Sequence, residues 1–130
     1  CAALDAQFEA QTVELRGDRR LLQRLLRNLL ENARRHGDGE SILVRLAIDP
    51  DQRIRLDVTD QGPGIPAAER ENVFAPFYRL PGTSEAAGGV GLGLSLVRQI
   101  ATAHGGSVQC LSVEPNGSCF RVTLPVVPPA

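Results

Sequence analysis

Two asparagines, Asn28 and Asn32, lie one helical turn apart in a Leu-rich segment whose periodicity predicts a helix over residues 18–36. At about 100° per residue they share a polar stripe with Arg35, and Glu31 widens that stripe. Such a stripe is ordinarily the solvated side of an amphipathic helix. Asparagine, however, is a mediocre helix former, and its side-chain carbonyl is a neutral oxygen ligand suited to Mg²⁺. Both interpretations remain open.

A carboxylate ends the strand that alternation predicts over residues 53–60. Ile54, Leu56 and Val58 share one face, and the same alternation places Asp60 on that apolar face. A carboxylate there is costly unless a hydrogen-bond donor satisfies it. Two donors fit: the backbone of its own turn and the amino group of a purine.

Two glycine-rich loops accompany these residues. Gly62 and Gly64 follow Asp60 and leave no side chain to block a flat ligand. Residues 88–95 lead into the amino end of a helix predicted over 92–104, where free N–H groups and the helix dipole favour an anion. A Rossmann site is disfavoured, because no strand precedes this loop and no acidic residue follows about 20 positions later.

Composition excludes several other classes of protein. All 14 basic residues are Arg, and both the Walker A loop and eukaryotic-type protein kinases require a Lys. The formal net charge of -1 offers no excess of positive charge, so we expect no nucleic-acid partner and no direct membrane contact. The 130 residues, 42% of them hydrophobic, predict one domain over 1–130. No long apolar run or signal peptide is present, which predicts a soluble piece.

The ends and the cysteines lead to two further expectations. The chain has no Met and begins at Cys1, so we expect a fragment of a longer protein. Its three cysteines favour small buried thiols in a reducing compartment over a disulfide or a metal site. A two-residue hairpin turn at Asn116-Gly117 would place Cys119 opposite Glu114 and Cys110 opposite Thr123.

The predicted elements define the fold class. They are strands over 11–16, 41–49, 53–60, 107–113 and 119–124, long helices over 18–36 and 92–104, and a short helical segment near 67–73. We expect Asp18 to cap the amino end of the first helix and His104 to cap the carboxyl end of the second. These elements predict an α/β (α+β) two-layer sandwich, in which helices cover one face of a mixed, mostly antiparallel sheet of about five strands. Residues 81–89 are small and lack periodicity, so we expect them to be mobile.

Four segments together carry a resemblance to a known family. They are residues 28–36 (N box), 60–65 (first glycine box), 73–79 (F box) and 89–97 (second glycine box). In order and spacing they resemble the catalytic domain of the sensor histidine kinases, a branch of the Bergerat-fold ATPases that also includes MutL repair proteins, type II topoisomerases and heat-shock chaperones. The resemblance implies the Bergerat fold, ATP and Mg²⁺ as cofactors, and a bacterial two-component system.

The resemblance also implies a role for each matching residue. Mg²⁺ would lie against Asn28 and Asn32, a phosphate against Arg35, and the ribose or phosphates near His36. The remaining nucleotide contacts would be Asp60 on the adenine amino group, Gly62 and Gly64 beneath the ring, Ile65, Tyr78 and Arg79 in the lid, and Gly89, Gly91, Leu92, Gly93 and Leu94 at the phosphates. The lid would span 78–89, and Phe74 and Phe77 would be its anchors packed on the core, with contact to the ligand as the alternative. The family usually has Thr where this chain has Val90, which removes one possible phosphate hydrogen bond.

The implied activity is phosphoryl transfer to a histidine, with Asn28, Glu31 and Arg35 as catalytic candidates. Hydrolysing relatives carry an acidic residue at position 28, and Asn cannot accept a proton at neutral pH. Glu31 is either an alternative base or a solvated side chain. His36 and His104 do not fit as acceptors, so the acceptor would lie on the dimerisation hairpin of the parent kinase.

The resemblance implies a response regulator as the downstream partner, a monomeric isolated domain, and a cytoplasmic location, as part of an inner-membrane sensor. Two other functions remain open. One is an anti-sigma-type kinase that phosphorylates serine, and the other is a nucleotide-sensing module that transfers nothing.

Overall fold

The computed structural model describes residues 4–8, 17–36, 41–78, 93–113 and 116–125. A five-stranded sheet has the order β1-β2-β3-β5-β4, in which β1 runs parallel to β2 and the other pairs are antiparallel. Its strands are β1 (Leu4–Phe8), β2 (Ile42–Ile48), β3 (Arg53–Asp60), β4 (Ser107–Ser112) and β5 (Ser118–Pro125). The helices are α1 (Arg19–His36) and α2 (Gly93–Ala103).

Both helices pack on one face of this sheet, which confirms the predicted two-layer sandwich. The sheet contributes cross-strand pairs such as Val58 with Phe120, both 1% exposed, because directly opposed residues share a face. Opposite them, α1 buries Leu25 and Leu29, and α2 buries Val97. The apolar stripes predicted from helical and strand periodicity therefore meet in one core.

The beginning of α1 is fixed by Asp18, as its sequence position predicts. One carboxylate oxygen, Oδ1, accepts hydrogen bonds from the backbone N–H groups of Arg20 and Leu21, at 2.9 and 3.2 Å. Those N–H groups have no partner within the helix, so the cap satisfies them. Asp18 thus sets the register in which α1 presents Asn28 and Asn32.

The β4–β5 hairpin differs from the predicted two-residue turn. Cys110 pairs with Phe120 and Cys119 with Leu111, so the connection between the strands is longer. The physical reason is that the Asn116 side chain bonds to backbone carbonyls of another loop, at Gln61 and Gly62, instead of closing a tight turn. The prediction that Cys110 and Cys119 are buried and free is confirmed.

Other predicted elements differ in detail. The segment predicted as helical near 67–73 forms two short 3₁₀ turns, Ala67–Glu69 and Asn72–Phe74. Strand β1 was not predicted. The strand predicted over 11–16 and the segment 81–89 lie outside the described residues.

Candidate functional site

Asp60, the last residue of β3, is 1% exposed, so the prediction that it lies on the buried face is confirmed. Its Oδ1 accepts a hydrogen bond from the backbone N–H of Gly62, and its Oδ2 accepts one from the Ser118 hydroxyl, both at 2.9 Å. The first bond is the turn cap that the sequence suggested. A carboxylate offers about four acceptor positions, and these two bonds take two of them. Capping its own turn therefore does not exhaust Asp60 as an acceptor.

The loop after Asp60 is held by the tip of the β4–β5 hairpin. Asn116 donates through Nδ2 to the carbonyl oxygens of Gln61 and Gly62, at 2.9 and 3.0 Å. A Cβ at Gly117 would lie 2.2 Å from the Asp60 carbonyl oxygen, and Gly117 has a φ of 123°. Only glycine fits that approach.

Neither Asn116 nor Ser118 was predicted as a site residue. Ser118 lies directly opposite Asp60 in the β3–β5 register. Periodicity shows which residues of one strand share a face, but not which strand comes to lie beside it. The strand pairing was the missing signal.

The N box and the second glycine box meet at the other side of the site. Asn28, which is half-buried on α1, donates through Nδ2 to the carbonyl oxygen of Gly93, the first residue of α2, at 3.3 Å. This bond leaves the Oδ1 of Asn28 available as an oxygen ligand. Asn32, one turn further along α1, is also half-buried.

The remaining predicted site residues differ in their exposure, and several lie outside the described residues. Arg35 and Glu31 are exposed on α1, and Glu31 lines a groove of about 390 Å³ beside Leu30 and Ile42. Leu94, Ile65 and Tyr78 are half-buried against the core. Predicted contacts Arg79, Gly89, Gly91 and Leu92 lie outside the described residues, as does the side chain of His36.

Phe74 anchors the F box, as predicted. It is 3% exposed and packs edge-to-face on Phe120 at 5.9 Å between ring centroids. The Arg98 guanidinium of α2 lies 4.3 Å from the Phe74 centroid and pairs with Glu71 at 2.6 Å. That ion pair lowers the pKa of Glu71, first through the hydrogen bond from Arg98 and then through its charge. The F box is therefore fastened to α2, the helix that begins at the site.

Phe77 was predicted to pack on the core as well, and that prediction is wrong. Its side chain is 69% exposed, and its backbone has a φ of 63°. A positive φ is unusual for a bulky residue and redirects the side chain relative to an extended strand. Here it leaves the ring in solvent while the next residue, Tyr78, packs inward.

A second buried carboxylate, Asp57, lies on the opposite face of β3 from Asp60. Arg121 of β5 donates to it through Nε at 2.8 Å and Nη2 at 3.0 Å. This paired geometry raises the pKa of Arg121, chiefly through the hydrogen bonds to Asp57. Asp57 is thus satisfied within the sheet, whereas Asp60 faces the helices and the glycine loop.

A metal at this site would depend on amide oxygens. Within the described part of the chain, no three His, Cys, Asp or Glu side chains cluster as a metal site. The Asn28 and Asn32 carbonyls suit Mg²⁺, which keeps several waters and takes few protein oxygens. The donor set therefore fits Mg²⁺ bound together with phosphates and not a cage built by the protein alone.

The chain is similar in sequence to a known family and to named proteins. A family model described as histidine kinase-, DNA gyrase B- and HSP90-like ATPase matches residues 17–128. The adaptive-response sensory kinase SasA of Parasynechococcus marenigrum (strain WH8102) is 40% identical over 110 residues, covering 84% of this chain and 29% of the relative.

Two solved structures are similar along nearly the whole chain. The mycobacterial sensor histidine kinase MprB has a TM-score of 0.83 and 34% identity, and the match covers 98% of this chain and 84% of that one. The catalytic domain of histidine kinase ThkA has a TM-score of 0.80 and 28% identity, with 98% and 82% covered.

The chain is shorter than the kinases related to it by sequence. It spans between 29% and 33% of the length of the first relatives found, all of them named SasA. Among the residues that the structure describes, neither helix has the length and apolar character needed to cross a membrane.

Proposed function

Since the chain belongs to the family of histidine kinase-, DNA gyrase B- and HSP90-like ATPases, we propose that it binds Mg-ATP and phosphorylates a histidine on the dimerisation hairpin of its parent sensor kinase. The observation that carries the proposal is Asp60, a carboxylate 1% exposed at the end of β3 and followed by a glycine loop. Proteins similar to most of the chain are named as sensory and sensor histidine kinases. The parent kinase would pass its phosphate to a response regulator.

Asp60 supplies the base recognition in this proposal. Its two oxygens are each held by one donor, the Gly62 N–H and the Ser118 hydroxyl, so the carboxylate has a fixed orientation. A fixed acceptor favours the 6-amino group of adenine and disfavours the 6-oxo group of guanine or hypoxanthine, which would set acceptor against acceptor. Gly62 has no side chain to block the ring next to that acceptor. Gly64 supports the loop from the other side, since its φ is 84° and a Cβ there would lie 3.0 Å from the Gly117 carbonyl oxygen.

The phosphates would lie between α1 and the amino end of α2. Asn28 and Asn32 offer neutral oxygens to Mg²⁺, and Arg35 on the same helix offers a guanidinium to a phosphate. The amino end of α2, where Asn28 contacts Gly93, adds backbone N–H groups and the positive end of the helix dipole. Bound Mg²⁺ would neutralise the phosphate charge that develops during transfer.

The residue type at position 28, an asparagine, favours phosphoryl transfer over ATP hydrolysis. Asn28 cannot accept a proton at neutral pH, and its amide already donates to Gly93. Transfer between aligned groups needs mainly positioning and charge stabilisation, so the base can come with the acceptor histidine. Glu31 is the alternative base within this chain, although its exposed position on the groove flank of α1 does not favour it.

The test supplies the parent's histidine hairpin in trans and follows phosphate from radiolabelled Mg-ATP. An acid-labile, base-stable phosphate on the hairpin is expected. A second hairpin with its histidine changed to Gln is the matched control and should stay unlabelled. An acid-stable product on a partner protein would instead indicate a serine kinase, and ATP binding without any transfer would indicate a nucleotide sensor.

A further inference from the structure

The side chain of Asn116 bridges two parts of the chain that lie more than 50 residues apart. Its Nδ2 donates to the carbonyl oxygens of Gln61, at 2.9 Å, and of Gly62, at 3.0 Å. An amide NH₂ has two hydrogens, so each is used once. Both acceptors lie in the loop that immediately follows Asp60.

We infer that Asn116 is a positioning residue that fixes the orientation of the Asp60 carboxylate and thereby sets selectivity for a 6-amino purine. This inference rests on the proposed function, because it assigns the base selectivity of the same site. Asn116 would not contact the base itself. It acts through the backbone of Gly62.

Gly62 connects Asn116 to Asp60, because both its N–H and its carbonyl oxygen are hydrogen-bonded. The N–H of Gly62 donates to Oδ1 of Asp60 at 2.9 Å, while the carbonyl of Gly62 accepts from Asn116. If the carbonyl is released, the loop can rotate about Gly62, since glycine resists such rotation least. The N–H would then no longer be held on Oδ1, and the carboxylate would lose one of its two fixed donors.

The other donor cannot replace this one. The Ser118 hydroxyl donates to Oδ2 of Asp60 and so restrains only that oxygen. Without the bond from Gly62, the carboxylate could still turn about the hydrogen bond between Ser118 and Oδ2. Asn116 is exposed, in contrast to the buried Gly117 and Ser118 that follow it. A substitution at position 116 therefore leaves the core intact and isolates the effect on the loop.

The test is calorimetry of ATP and ITP binding, with Mg²⁺, to wild type and Asn116→Asp. Aspartate has nearly the same shape but cannot donate, and it turns a carboxylate toward two carbonyl oxygens. We expect ATP affinity to fall about threefold to tenfold, as losing hydrogen bonds of ordinary strength predicts, and ITP affinity to stay within about twofold. The ratio of ATP to ITP affinity should fall accordingly.

Asn116→Ala provides a second variant that removes the donor without adding a charge, and it should lower the same ratio. Asn72→Asp is the matched control, because Asn72 is exposed and donates to the preceding 3₁₀ turn, at Ala68 and Glu69, and not to the loop after Asp60. It should leave both affinities unchanged.

Two results would overturn the inference. One is an unchanged ATP affinity in both Asn116 variants, and the other is an equal loss for ATP and ITP, which would mean a purely structural role. Failure of the wild type to bind ATP at all would refute the proposed function itself, and the two failures are thereby distinguished.

Discussion

The side-chain amide of Asn28 donates to the carbonyl oxygen of Gly93 at 3.3 Å, joining positions 65 residues apart. At the other end of the same helix pair, Nε2 of His104 accepts a hydrogen bond from the backbone N–H of Asp18 at 2.9 Å. Helices α1 and α2 are therefore antiparallel, and polar contacts tie the start and the middle of α1 to the end and the start of α2. These two links hold Asn28 of the N box beside Gly93 of the second glycine box.

The hydrogen bond from Asn28 to Gly93 should contribute to the free energy of unfolding even when no metal or nucleotide is bound. Asn28→Ala removes the donor to Gly93, so the free energy of unfolding without nucleotide should fall by about 0.5–1.5 kcal/mol. Asn32→Ala is the comparison, because both asparagines are proposed Mg²⁺ ligands. Both variants should weaken Mg²⁺-dependent ATP binding, measured by calorimetry, but urea unfolding should show the larger loss for Asn28→Ala. Equal stability of the two variants would contradict the structural role of the link.

His104 was predicted to serve the carboxyl end of α2, and its contacts agree. Nδ1 lies 2.8 Å from the Ile100 carbonyl, and the ring packs so closely on Gly17 that a Cβ there would lie 2.5 Å from Cδ2. The two bonds require a neutral imidazole that donates from Nδ1 and accepts at Nε2.

Replacing His104 by Ala should lower the free energy of unfolding by about 1–3 kcal/mol, the sum of two ordinary hydrogen bonds. Gly17→Ala should destabilise the protein as well, since the added methyl group overlaps the ring. Gln99→Ala, at a neighbouring exposed position of α2, is the control and should change stability by less than about 0.5 kcal/mol. Chemical denaturation monitored by circular dichroism measures all three, and a His104→Ala variant as stable as the wild type would refute a stabilising role for the His104 bonds to Asp18 and Ile100.

The buried thiols should be unreactive in the folded protein. Burial raises the pKa of Cys110 from 9.0 to about 11, and burial also raises that of Cys119. Little thiolate then exists at pH 8, so iodoacetamide should label neither residue until denaturant is added, as peptide mass spectrometry can establish. Rapid labelling of either thiol in the native state would show that the sheet opens there.

The same shift has a consequence at alkaline pH. A folded-state pKa above the unfolded value means that the neutral thiol stabilises the fold fully below about pH 9, and that this contribution is lost as pH rises from 9 through 11. Cys110→Ala should remove that part of the alkaline decline in the free energy of unfolding. An identical decline in the variant would assign it to other groups.

The elements that sequence reasoning predicted well are those with a local cause. Alternation in β3 was sufficient to place Asp60 on the buried face, and the capping chemistry of Asp18 was sufficient to locate the start of α1. Side-chain type and spacing within one element determine both features. The resemblance to the family then connected elements that periodicity alone could not.

What the sequence did not reveal depends on contacts between distant segments or on a single backbone angle. Asn116 was interpreted only as a turn residue. Its bonds to Gln61 and Gly62 form because β5 lies beside β3, and the sequence did not reveal that pairing. Ser118 was missed for the same reason. The resemblance implied that Phe77 packs on the core as a lid anchor, but its φ of 63° places the ring outside. Neither strand neighbours nor a left-handed angle at a bulky residue can be inferred from hydrophobic pattern.

Asp60 recognises the base in the proposed function, and Asp57 on the same strand offers a matched control. Both carboxylates are on β3 and both are buried, at 1% and 7% exposure, but Asp57 is paired with Arg121 on the opposite face. Asp57→Asn should therefore cost stability and leave nucleotide affinity unchanged, provided that the variant remains folded by circular dichroism.

The most direct measurement is calorimetry with a non-hydrolysable ATP analogue and Mg²⁺ on wild type, Asp60→Asn and Asp57→Asn. Loss of a charged hydrogen bond predicts that Asp60→Asn binds the analogue about tenfold to a hundredfold more weakly, while Asp57→Asn binds like the wild type. Asp60→Asn binding as tightly as the wild type would contradict the assignment of Asp60 to the adenine base and the nucleotide site built around it.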